Sequence, residues 1–186
     1  MFEQFTSAAR AVIADARQRA VDEDAAEIRE EHLLAELLAV PKVAYPLERL
    51  GVAGGAHPPV LQEIAHARRQ GGLSPLDAQA LAGLGIELDA VVSRIEAALG
   101  IGALDTSRRR GRRRSRLRLS PQSALALQAG LQQATERGDR ELREEHLLLG
   151  LMTRPGTVAD ALAARGATPA TLLAALHDGS APGRAG

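Results

Sequence analysis

The sequence predicts an all-α protein built from two pseudo-twofold-related copies of one four-helix repeat, and three observations predict it. Aromatic residues make up only 2% of the 186-residue chain, against 45% hydrophobic residues in all. Leu and Ala must therefore fill the core, which favours helices, because strands rely on β-branched and aromatic side chains. Shifting the chain by 114 positions lays Ile28-Arg29-Glu30-Glu31-His32-Leu33-Leu34 on Leu142-Arg143-Glu144-Glu145-His146-Leu147-Leu148, with six consecutive identities. The match also extends outward on both sides, which places the whole chain among repeat architectures.

The elements follow in order. Phe5, Ala9, Val12, Ile13, Ala16 and Ala20 recur at helical spacing and form one apolar stripe. Thr6 stands where an N-cap belongs, and in the second copy Ser120-Pro121 supplies a cap and a proline at the first helical position. Ile13 and Ala20 fall on Leu127 and Ala134. A second helix starts near Glu30 or Glu144, its acidic first turn facing the positive end of the helix dipole. After one slipped residue, Val43, Ala44, Leu47 and Gly51 match Val158, Ala159, Leu162 and Gly166, so a short third helix ends at a left-handed glycine in each copy. Leu172, Leu173 and Leu176 line a fourth helix in the second copy.

In the first copy Leu50-Gly51-Val52 is echoed by Leu84-Gly85-Ile86. The expected fourth helix then runs through Val91, Val92, Ile95 and Leu99, with about 53–84 as an insertion of two short helices. The layout is thus a first repeat over 1–104 with that insertion, an arginine-rich linker over 105–118, a second repeat over 119–178 and a tail over 179–186. A repeat of about 60 residues alone buries only about 60% of its unfolded surface, so the two copies are expected to pack as one unit.

Several function classes drop out. With no cysteine, disulfides, thiolate zinc sites and thiol catalysis are excluded. Formal net charge is zero, so no whole-molecule field steers the chain toward nucleic acid or membrane. No apolar run approaches the roughly 20 residues that cross a bilayer, and the first residues carry no secretory pattern; a cytoplasmic monomer is expected. His57, His66 and His177 show no metal-ligand spacing, and Lys42, the only lysine, lies in no phosphate-binding loop. No metal, cofactor or ATP hydrolysis is expected.

Phe2, Phe5-Thr6, the alanines of the first helix, Glu31-His32-Leu33-Leu34 and Gly51 resemble the N-terminal domain of Clp-type unfoldases, the double Clp-N (Clp R) domain. The resemblance covers roughly 2–52 and 84–178. It implies a stand-alone recognition module without the ATP-driven motor, recruiting or competing for the substrates, adaptors or ligands of a Clp unfoldase. It is not expected to be an enzyme. In the ClpC branch the domain docks arginine-phosphorylated proteins, and the positions that this implies are Thr6 and Glu31 in one copy and Ser120 and Glu145 in the other. A carboxylate takes a guanidinium through two parallel charge-assisted hydrogen bonds, while a helix start and a hydroxyl donate to a phosphoryl group. Phe2, Phe5 and Leu119 correspond to an apolar surface that takes small ligands in relatives. Arg29-Glu30 and Arg143-Glu144 replace the family's Gly-Thr, adding a carboxylate beside each site.

A bland alternative stands beside each of these assignments. Glu31 and Glu145 also serve as first-turn acids, worth about 0.3–1 kcal/mol, and His32 and His146 read as packed structural residues. A second function class rests on the eight arginines between Arg108 and Arg118, which would neutralise phosphates and bind nucleic acid in a salt-dependent way. Aromatic stacking platforms for bases are absent there.

Overall fold

Helix α1 (Ser7–Asp22) begins where Thr6, in extended backbone, accepts the Ala9 N–H on its hydroxyl at 3.1 Å. Its counterpart α7 (Pro121–Glu136) begins the same way, with the Ser123 N–H on the Ser120 hydroxyl at 3.1 Å. The two helices bury Ala9, Val12, Ala16 and Ala20 in one case and Ser123, Ala126, Gly130 and Ala134 in the other. Those positions coincide under the 114-residue shift, so the same stripe faces inward twice. The computed structural model describes residues 5–55, 58–71, 73, 75–100, 103–104 and 117–179. Among them it forms ten α-helices, with no strand beyond two isolated bridges.

Helices α2 (Glu30–Leu37) and α8 (Glu144–Thr153) carry the Leu-Leu pairs inward, and α8 is buried along every residue from Glu145 to Met152. Helices α3 (Pro41–Arg49) and α9 (Thr157–Ala164) follow. Each ends at a glycine with positive φ, Gly51 at 70° and Gly166 at 76°. The Val52 and Ala167 N–H groups reach back to the Leu47 and Leu162 carbonyls at 2.9 and 3.0 Å, the six-to-one bond of a Schellman cap.

The copies are joined by exchange. Phe5 pairs in parallel with Leu142, and Ile28 pairs in parallel with Leu119. The Thr6 N–H donates to the Leu142 carbonyl at 3.0 Å and the Ser120 N–H to the Ile28 carbonyl at 2.9 Å. Each bond becomes the other under the shift, as a twofold relation between copies requires. A single apolar cluster runs through both copies, with Leu34, Leu37 and Leu47 beside Leu148, Leu149, Leu162 and Leu172. At about 1.5–3 kcal/mol for each fully buried leucine, neither half retains this core without the other.

The fourth helix of the first copy is not where the sequence puts it. Helix α4 (Pro59–Arg69) packs on α9, while α10 (Pro169–Gly179) packs on α3. These two contacts exchange under the repeat relation, so α4 is the counterpart of α10. Its Val60, Ile64 and Ala67 face the interior, and Arg165 clamps its Glu63 at 2.6 and 3.0 Å. The extra segment is instead the pair α5 (Pro75–Gly83) and α6 (Leu88–Leu99). Of α6 only Val92 is buried, and Leu99 stays 77% exposed. The echo at Leu84-Gly85-Ile86 misleads because it encodes a helix ending, not a repeat. The Ile86 N–H bonds to the Leu81 carbonyl at 2.9 Å, as Val52 bonds to Leu47. The arginine-rich stretch lies outside the described residues, apart from Leu117 and Arg118.

Candidate functional site

Each predicted hydroxyl residue is tied through its backbone to the segment that leads into the predicted glutamate of the other copy. The Thr6 backbone is bonded to Leu142, three residues before Glu145, and the Ser120 backbone to Ile28, three residues before Glu31. Both hydroxyls already serve as helix caps. Ser120 also donates to the Ser123 hydroxyl at 2.9 Å and is 5% exposed. Phe5 does not belong to an accessible ligand surface, because the bridge to Leu142 seats it in the core at 4% exposure. Leu119 is half-buried against that core, and Phe2 lies outside the described residues.

The two glutamates differ in their partners. The carboxylate of Glu31 is held by the Arg68 guanidinium through both terminal nitrogens, one on each oxygen, and by Arg29 Nε at 3.0 Å. Glu145 meets Lys42 Nζ at 2.9 Å on Oε1 only. Its Oε2 is buried and has no partner among the described residues. Arg143, the counterpart of Arg29, turns to Asp139 at 3.4 Å and stays 3.9 Å from Glu145.

His32 and His146 are fully buried at the third position of α2 and α8. Their Nδ1 atoms accept the Arg29 and Arg143 N–H groups at 2.9 and 3.1 Å, the role that Glu or Gln takes in a capping box. A backbone N–H only donates, so Nδ1 is unprotonated, and Nε2 carries the proton toward Glu23 at 3.2 Å or Asp139 at 3.1 Å. The hydrogen bond from His32 holds the Glu23 carboxyl below its ordinary range. These histidines organise the site and are not ligands in it. Among the described residues no group of three or more His, Asp or Glu side chains is placed to hold a metal ion.

Glu30, which the sequence offers only as an added carboxylate beside the site, is buried. It is 8% exposed, its Oε1 has no partner among the described residues, and a Cβ on Gly156 would meet its Oε2 at 3.3 Å. Burial pushes its carboxyl up to about 7, the Glu31 charge adds to this, and Arg68 opposes it. The folded state thus binds this proton more tightly than the unfolded one, and stability is lost as pH rises from 4.5 through about 7. Glu30→Gln is expected to stabilise the protein at pH 8 by on the order of 1–3 kcal/mol and to change little at pH 4. Urea melts at the two pH values check this. A variant less stable than wild type at pH 8 would show that a partner holds the charged carboxylate. Arg68 and Lys42 were not legible as site residues, because 37 and 103 positions separate them from the glutamates they hold.

The family model of the Clp repeat (R) N-terminal domain matches residues 118–183. The matched stretch lies in the second half of the chain. The fold extends the likeness over nearly the whole chain. The N-terminal domain of Arabidopsis thaliana ClpD superposes with a TM-score of 0.53 at 17% identity, covering 96% of this chain and 95% of that one. The Hsp104 N-terminal domain of Candida albicans gives 0.59 at 15% identity, covering 96% and 93%. A structure from a malarial protein secretion system gives 0.55 at 12% identity, covering 95% and 94%. No curated protein matches by sequence. The likeness to the Clp and Hsp104 N-terminal domains is one of fold. Among the described residues no helix is long and apolar enough to cross a membrane.

Proposed function

We propose that this chain is a non-catalytic recognition module of Clp-dependent protein quality control, acting in the cytoplasm on substrates, adaptors or ligands of a Clp unfoldase. The observation that carries the reading is the Clp repeat over 118–183, set in a fold shared along nearly the whole chain with Clp and Hsp104 N-terminal domains. The site chemistry agrees with binding and not with turnover. The carboxylates of Glu31 and Glu145 are paired with cations, the histidines are locked as capping groups, and the hydroxyls accept backbone N–H bonds.

In its finer form the ligand is an arginine-phosphorylated segment. Glu31 and Glu145 supply the guanidinium partner, and Thr6 and the neighbouring helix start supply donors for the phosphoryl oxygens. Ser120 contributes less, since its proton is engaged by Ser123. The test is a reconstituted Clp unfoldase and protease degrading an arginine-phosphorylated substrate, with this chain added in increasing amounts. A recruiter is expected to raise the degradation rate, and a competitor to lower it. A rate unchanged at saturating chain would sink the reading.

A further inference from the structure

The internal repeat allows one copy of the site to be compared with the other in the same molecule. At Glu31, a partly buried carboxylate is held by a guanidinium, with Nη2 donating to Oε2 and Nη1 in ion-pair contact with Oε1. The guanidinium comes from Arg68 in the last turn of α4, with 22% of its side chain exposed. At Glu145 a lysine ammonium, from Lys42, meets one oxygen, and among the described residues the other oxygen is buried without a partner. Lys42 is 55% exposed. An ammonium that exposed is a loose occupant, since ion pairs at the surface contribute little, and it cannot match the two-point geometry of a guanidinium.

We propose that Arg68 is a built-in occupant that closes the first site, so that the chain presents one working guanidinium site, at Glu145, instead of two. The ligand is an arginine side chain of a bound segment, entering beside α8 in the place that Arg68 takes beside α2 and displacing Lys42. This rests on the recognition role proposed above and narrows it to one copy.

The experiment titrates N-acetyl-arginine N-methylamide into the isotope-labelled full chain and follows backbone amide shifts. N-acetyl-lysine N-methylamide serves as the control for charge alone. In the wild type, saturable shifts are expected at Glu145 and His146 and not at Glu31 and His32. Arg68→Ala is expected to add a second saturable set at Glu31 and His32, doubling the number of bound probes. Arg68→Lys, which keeps the charge and guards against misfolding in the alanine variant, is expected to open the first site in part. Glu145→Gln is expected to remove the α8 set. Equal shifts at both copies in the wild type would overturn the proposal, as would an Arg68→Ala protein, folded by circular dichroism, that gains no second set. No shift in either protein would also overturn it. The degradation assay is read separately, so either idea can fail without the other.

Discussion

Gly150→Ala is expected to lower the stability of the protein by about 2 kcal/mol or more, with the melting temperature falling by at least roughly 4 °C. A Cβ at this position would lie 2.2 Å from the Ala126 carbonyl oxygen and 2.7 Å from the Gly130 nitrogen. Both are backbone atoms of α7, so no side chain can rotate away, and the two helices must separate. Alanine favours a helix over glycine by about 1 kcal/mol, too little to offset that separation when native proteins hold only about 5–15 kcal/mol in total. Gly130 lies on the other side of the same contact, its Cβ position 2.7 Å from the His146 carbonyl oxygen. Gly130→Ala should destabilise too, and the double variant should cost less than the sum, because one helix shift relieves both clashes. Gly83→Ala, which meets nothing within 4 Å, is the control and should change stability by no more than about 0.5 kcal/mol. A Gly150→Ala protein that melts with the wild type would remove the close approach of α7 and α8 from this account.

The repeat and its helices were legible because they depend on local rules. Caps at Thr6 and Ser120, glycines at 51 and 166, and the stripe from Ala9 to Ala20 each follow from the chain within a few residues. The identity of the fourth helix was not legible. Both α4 and α6 offer an apolar line, and only packing on α9 shows which one the core takes. A second helix-ending motif at Gly85 then made the wrong one look like the continuation. In the site, the type of each residue could be read, but not what it touches. Glu31 and Glu145 are identical in local sequence, yet Arg68 holds one and Lys42 the other, and those partners arrive from distant helices. The exchange that ties Thr6 to the segment leading into the second copy's glutamate follows from the parallel bridges, which no periodicity announces.

His146→Ala is expected to cost about 3 kcal/mol, because it opens a cavity in a fully buried position and leaves the Arg143 N–H without its acceptor. His146→Gln keeps an acceptor at the third helical position and should recover about 1 kcal/mol of that loss. The pH dependence separates the imidazole from mere bulk. Burial pushes the His146 pKa below 6.5, with Glu145 and Asp139 opposing. Protonating Nδ1 would also set two donors face to face. The unfolded chain therefore takes up this proton first, and stability is lost as pH falls below 6.5. Glu30 acts in the opposite sense, losing stability as pH rises through about 7. Between pH 5 and 7 the two slopes partly cancel in the wild type. Removing one should expose the other: His146→Gln should lose stability with rising pH, and Glu30→Gln should gain it. Neither slope should exceed about 1.4 kcal/mol per pH unit, the value for one proton. Urea midpoints at pH 5, 6 and 7 measure both slopes. Slopes of the same sign in the two variants would mean that these buried groups do not govern the pH response, and that another group does.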